Sequence, residues 1–196
     1  MVLRWVRRLL QGSAEERKAI KRLKQFMAYH KARYPEGTKG ETALHYAVAM
    51  GYAKDAELLL KRRAKVDAKT QGGHTPLHFA ALKGHADVAK LLLVHDADVH
   101  ARNNKGGLTP LHVAPDAGYG DVIELLLRHG AGVNARDDYG QTPLHYAVDA
   151  QQDNVVKLLL ARGADVNAKT NDDATPMAVT VNPVIRQILK KHGGVE

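Results

Sequence analysis

The stretch Gly73–Arg102, GHTPLHFAALKGHADVAKLLLVHDADVHAR, decides the reading of this chain. Its core, Thr75-Pro76-Leu77-His78, is matched by Thr42-Ala43-Leu44-His45, Thr109-Pro110-Leu111-His112 and Thr142-Pro143-Leu144-His145, with a decayed copy at Thr175-Pro176-Met177-Ala178. The threonines stand 33, 34, 33 and 33 residues apart. A leucine triplet follows each full copy at a fixed offset: Leu58–Leu60, Leu91–Leu93, Leu125–Leu127 and Leu158–Leu160. Self-similarity at such a period means a stacked array of one small unit.

The unit can be read physically. Thr75 is an N-cap whose hydroxyl accepts from orphan amides, and Pro76 sits where a missing N–H costs nothing. Leu77, Ala80 and Ala81 give a short helix with a small apolar face, which Gly84 ends in the left-handed conformation. A second helix over about Asp87 to Val94 carries Val88, Leu91 and Leu92 as a buried stripe. Neither helix can bury its face alone, so neighbouring copies must cover it. Between helix pairs lie extended, Asn- and Gly-rich stretches such as Val99–Thr109, read as β-turns or hairpins projecting from the stack.

The Gly-x-Thr-Pro-Leu-His-x-Ala pattern, the Gly-His, the leucine triplet and Gly-Ala-x-Val-Asn-Ala together resemble the ankyrin repeat over about residues 36–196. The resemblance implies an all-α solenoid of about five helix-turn-helix repeats with short β-turn or hairpin projections, preceded by an N-terminal helical extension. The repeats fall at about 39–71, 72–105, 106–138, 139–171 and 172–196, the last shortened at Asn182-Pro183 into a C-terminal cap. Residues 1–35 form the extension, with helices over 2–11 and 14–33.

The formal charge of +8 is unevenly placed. Residues 1–40 carry 11 Lys/Arg and 3 Asp/Glu, a net +8. Residues 96–185 carry 7 bases and 12 acids, a net −5. The chain is therefore polarised end to end. Val2–Leu10, VLRWVRRLL, places Val2, Leu3, Trp5, Val6, Leu9 and Leu10 on one helical face and Arg4, Arg7 and Arg8 on the other. It reads as an interfacial or partner-binding helix anchored by Trp5, or as a lid on the first repeat. Ser13 and Glu16 make a capping box for the next helix, whose stripe is Ile20, Leu23, Phe26, Met27, His30 and Tyr34. Its remaining face is basic, which allows non-specific attraction to polyanions but carries no base-reading pattern. Sequence-specific nucleic-acid binding is not expected.

Three positions break the pattern. Asp55 stands where Val88, Val122 and Val155 stand in other copies, so that site is either less buried or paired with the basic helix. Asp96 replaces a glycine after the second helix; aspartate tolerates that backbone better than most residues. Pro115 replaces the second alanine of a first helix and should end or distort it.

No catalytic constellation emerges. The absence of cysteine removes thiolate sites and disulfides. The four repeat-position histidines lie one repeat apart, too far to share an ion, and are expected to bond helix start to hairpin. Asp137-Asp138 and Asp172-Asp173 sit on turns and suit turn capping. No enzyme activity, metal or cofactor is expected. No apolar run reaches the length of a membrane span, and the arginine-broken N-terminus is a poor secretory signal, so a cytoplasmic monomer is expected.

The resemblance implies a protein partner held on a concave face of loop tips and first helices. Carried over by position, that face comprises Lys39, Glu41 and Met50; Lys69, Gln71, His74, Leu82 and Lys83; Arg102, Asn104, Lys105, Leu108 and Asp116; Arg136, Asp138, Tyr139, Gln141 and Asp149; and Lys169 and Asn171. Tyr139, Arg102 and Arg136 are its expected energetic anchors, because hot spots favour aromatics and arginine. The rival reading is a peripheral membrane or polyanion-binding protein acting through the basic amphipathic N-terminus.

Overall fold

A computed structural model describes residues 13–33, 40–115 and 119–195, without the side chains of Glu15, Lys24 and residues 26–33. Its helices are α1 (Ala14–Arg33), α2 (Ala43–Ala49), α3 (Ala53–Lys61), α4 (Pro76–Lys83), α5 (Ala86–Val94), α6 (Pro110–Val113), α7 (Gly120–Arg128), α8 (Pro143–Asp149), α9 (Asp153–Ala161) and α10 (Pro183–Lys191). No strand occurs among the described residues. The projecting loops are turns, stacked on one another by single backbone bonds: Asn104 N–H to Gly72 O, Asp138 N–H to Gly106 O and Asn171 N–H to Tyr139 O, at 2.9, 2.8 and 2.9 Å.

Pairs α2/α3, α4/α5, α6/α7 and α8/α9 form four repeats around one continuous core. Leu44, Leu77, Leu111 and Leu144 from the first helices are buried, as are Leu59, Leu92, Leu126 and Leu159 from the second. The leading leucine of each triplet, Leu58, Leu91, Leu125 and Leu158, is only half-buried. Three consecutive residues span too wide an arc of a helix for all to face inward. The inner stripe of α5 is therefore Val88, Ala89, Leu92 and Leu93, with Leu91 at its margin.

The capping box at Ser13 is present: Ser13 N–H donates to Glu16 Oε2 at 2.7 Å and Glu16 N–H to Ser13 Oγ at 3.2 Å. Ala19, Ile20 and Leu23 of α1 are buried, Leu23 within the repeat core. Asp55 is 2% exposed and paired with Arg22, so of the two readings of that position pairing holds and reduced burial does not. Arg62 ties the other end of the interface to Glu16 at 2.9 Å. The proposed helix over 2–11, and the Phe26, Met27, His30 and Tyr34 part of the stripe, lie outside the described residues or side chains.

α6 is four residues long, against seven or eight in the other first helices, and stops before Pro115. Asp96 adopts φ 62°, as expected, and Gln151 and Arg63 adopt φ 55° and 60° at other helix ends. Gly84 takes φ 70° for a second reason as well: a Cβ there would run into the Tyr119 ring of the next repeat. In the fifth unit Thr175-Pro176-Met177-Ala178 forms turns rather than a helix. Met177 is nevertheless fully buried, and Asn182 Oδ1 caps α10 by accepting from Val184 and Ile185 N–H. No helix among the described residues is long and apolar enough to cross a membrane.

Candidate partner-binding surface

The threonine–histidine pair is the joint that positions each loop. In every full copy the histidine Nδ1 accepts from the backbone N–H of its own threonine, at 3.1 Å from Thr42, 3.2 Å from Thr75, 3.2 Å from Thr109 and 3.1 Å from Thr142. The threonine hydroxyl lies 2.8–3.0 Å from the same Nδ1 and donates to it. Nδ1 is thus an acceptor, so Nε2 carries the proton. It donates onward to the carbonyl just before the next repeat's threonine: His45 to His74 O, His78 to Leu108 O, His112 to Gln141 O and His145 to Ala174 O, at 3.1, 2.9, 3.3 and 3.3 Å. His112 Nε2 also reaches Ala135 O at 3.0 Å. Burial drives all four histidines below their ordinary pKa, and His78 to about 4. The neutral tautomer is the one this geometry uses.

In two of the loops a buried side chain folds the turn. Asn103 Oδ1 accepts from Lys105 and Leu108 N–H, at 3.1 and 3.0 Å. Asp137 Oδ1 accepts from Tyr139 and Gln141 N–H, at 2.9 and 2.8 Å, and Oδ2 from the Tyr146 hydroxyl at 2.8 Å. Asp137 therefore caps a turn, as its sequence position implied.

The loop tips are joined by cations. Lys69 Nζ donates to Arg102 O at 3.2 Å, and Arg102 donates to Arg136 O at 2.7 Å and to Asp138 Oδ1 at 2.9 Å. Arg136 continues the ladder to Lys169 O and, at 3.4 Å, to Asn171 Oδ1. Asn104 and Asn171 add amide donors to Gln71 O and Asp138 O. The anchors expected at Arg102 and Arg136 thus already spend donors on the neighbouring loop. The sequence showed their equivalent positions but not that a carbonyl lies within reach.

A regularly spaced threonine–histidine joint, repeated helix pairs and stacked loops define one architecture, and the comparison with known families agrees with it. The family model described as ankyrin repeats (3 copies) matches residues 10–103 and 96–170. The chain belongs to the ankyrin repeat family. Ankyrin repeats are generally protein–protein interaction modules. The match begins inside the segment before residue 36 and ends before the fifth unit. Comparison with curated proteins gives no match.

Of the ankyrin-face residues, Met50, Lys69, Gln71, Leu82, Lys83, Arg102, Asn104, Lys105, Arg136, Asp138, Tyr139, Asp149, Lys169 and Asn171 are exposed. Glu41, His74, Leu108 and Gln141 are half-buried and have internal roles. Glu41 holds the Tyr46 hydroxyl, which burial and then this carboxylate push up in pKa. His74 packs edge-on to His78 and Phe79 and meets Asn103 Nδ2 at 3.1 Å; burial, then Lys105, lowers its pKa. Leu108 and Gln141 supply the carbonyls that the histidines bind. Lys39, Asp116, Arg4, Trp5, Arg7 and Arg8 lie outside the described residues.

The exposed residues fall into two sets. The loop edge holds the cation ladder, with the Tyr139 ring close over Gly106 of the preceding loop. The first-helix ends hold Met50, Leu82, Lys83 and Asp149. Sequence reasoning missed a third set, Val179, Val181 and Val184, because the decayed fifth copy was read only as a cap.

Proposed function

We propose that this chain is a non-enzymatic, cytoplasmic scaffold that binds a partner protein on the concave face of loop tips and first-helix ends. The observation that carries this reading is the exposure of Met50, Leu82 and Tyr139, at 42%, 40% and 64%, beside a core that other residues already fill. Large apolar side chains on the face of a stacked array add nothing to its core, and they are the material of interface centres. The test is a titration of a partner isolated on the immobilised chain against wild type, Leu82→Ala and Tyr139→Ala. At least one should weaken binding by more than about 1 kcal/mol; neutrality of both removes this face as the site.

In this reading residues 1–35 form the cap of the first repeat. The burial of Ala19, Ile20 and Leu23 and the Arg22–Asp55 and Arg62–Glu16 pairs support it. A second reading, contact with a polyanion or an anionic membrane, is favoured by exposed Arg17, Lys18 and Lys21 on α1 near the basic end of α3. Co-sedimentation with anionic vesicles at low salt tests it, and absence of pelleting ends it.

A further inference from the structure

The unit after repeat 4 exposes three valines within six residues. Val179, Val181 and Val184 are 42%, 95% and 52% exposed. Val179 and Val181 border a cavity of about 370 Å³ whose walls also include Val148 and Pro183 and the polar Asp149, Gln151, Thr180 and Asn182. Isolated surface valines are ordinary, but two of them at the mouth of a concavity that also offers polar groups make a candidate interaction site.

Charge narrows the occupant. Asp149 is the last residue of α8, where unpaired carbonyls already make the helix end negative. An acid there is unfavourable for the helix, and no described cation pairs with Asp149. It projects a negative potential beside the valine rim, within the region 96–185 of net charge −5. The bases nearest in sequence are engaged elsewhere: Lys157 with Asp153, Arg162 with Glu124, Lys169 with Asp173, and Arg186 with the Met177 and Thr180 carbonyls. A fitting ligand presents a large apolar side chain flanked by cations. This chain carries such a segment: as a helix, Val2–Leu10 would gather Trp5 and the five aliphatic residues Val2, Leu3, Val6, Leu9 and Leu10 on one face bordered by Arg4, Arg7 and Arg8, within a terminal region of net charge +8.

We propose that the Val179–Val181 cavity of one copy receives the basic apolar segment Val2–Leu10 of a second copy. The two surfaces differ, so the contact is head-to-tail and adds further copies unless it closes into a ring. It depends on opposite charges near the surface and therefore weakens with salt. The proposal goes beyond the partner-binding reading; it shares Asp149 with it and leaves the capping of repeat 1 to α1 alone, so either can fail alone.

The experiment is sedimentation velocity of the full-length protein over a concentration series at low and high salt, with circular dichroism as a folding control. Wild type should gain mass with concentration at low salt and lose that gain at high salt. Val181→Lys, at a site almost wholly in solvent, should weaken association by at least about tenfold. Arg7→Glu should do the same from the other side. Leu82→Lys, on the concave face, should leave association unchanged. Emission of Trp5, the single tryptophan, should shift blue with concentration in wild type and not in Val181→Lys. A wild type that stays monomeric at its highest soluble concentration overturns the proposal. So does association that ignores Val181→Lys, or a Trp5 shift produced by anionic vesicles but not by concentration.

Discussion

The Arg22 guanidinium grips both oxygens of the Asp55 carboxylate, with Nη2 2.7 and 2.8 Å from Oδ1 and Oδ2 and Nε 3.2 Å from Oδ2. The acid is buried and the arginine is half in solvent, its guanidinium carbon 5.3 Å from the Tyr52 ring centre. The pair joins α1 to repeat 1 at the position where the other repeats pack valine.

Removing the arginine leaves a buried carboxylate without its strongest partner. Arg22→Met should destabilise by about 2 kcal/mol, between the small worth of exposed pairs and the larger loss on breaking fully buried ones. Asp55→Val, which restores the repeat pattern, should remove most of that cost when combined with Arg22→Met. Urea unfolding of the two single variants and the double variant measures this cycle. A loss below about 0.5 kcal/mol for Arg22→Met would show that the pair does not hold the helix.

Acid should unfold the array through its joints. The unfolded chain protonates its histidines near pH 6.5, whereas the folded His78 takes a proton only at about 4. His45, His112 and His145 are lowered as well, all by burial first. The unfolded state therefore binds more protons in this window. Stability is full above about pH 6.5 and is lost as pH falls towards the folded values. His78 alone contributes on the order of 3 kcal/mol across its window, at roughly 1.4 kcal/mol per pKa unit. Asp67, raised by burial, acts in the opposite sense at the low end. Urea midpoints should fall between about pH 7 and about pH 5, and His78→Gln should flatten that slope. A midpoint that rises on acidification refutes the account.

Gln151 and Asp96 hold left-handed backbone without being glycine. That conformation costs an ordinary L-residue roughly 1–2 kcal/mol, and glycine returns part of this as lost chain entropy. Gln151→Gly should stabilise by about 0.5–1 kcal/mol, and Asp96→Gly by less, because aspartate bonds locally in that region. Thermal or urea unfolding reads both. Gly84→Ala should do the reverse, since the new methyl meets both the strained φ and the Tyr119 ring.

The stack was legible because its signals are local and repeat. Threonine, proline, the closing glycine and the spacing of Leu77, Ala80 and Ala81 each act within one helix, and most copies repeat each of them. The end of α6 before Pro115 was legible for the same reason. What one copy does to the next was less so. Asp55 left two readings open, and its partner, Arg22, lies 33 residues earlier in a segment with many other cations. The fifth copy keeps Thr175-Pro176 but forms no first helix. Its histidine is replaced by Ala178, and the Thr175 hydroxyl turns instead to Val195 O at 2.9 Å. On the candidate surface, residue type gave exposure correctly for Tyr139 and Leu82. It could not show that Arg102 and Arg136 reach across to the next loop, because that depends on the loop spacing set by stacking.

That distinction separates two effects of alanine on the loop edge. Arg136 donates to Lys169 O and Asn171, so Arg136→Ala removes bonds between the fourth and fifth loops and should destabilise by about 1 kcal/mol even without a partner. Tyr139 is 64% exposed and its ring lies over Gly106, so Tyr139→Ala should change stability by less than about 0.5 kcal/mol. A weakened partner titration with unchanged urea stability in Tyr139→Ala would mark the loop edge as a true contact. The same weakening in Arg136→Ala would carry no such meaning until stability is restored, for example by Gln151→Gly in the next repeat. If Tyr139→Ala proves as destabilising as Arg136→Ala, the ring belongs to the stack, and Leu82 on α4 remains the cleaner probe of the surface.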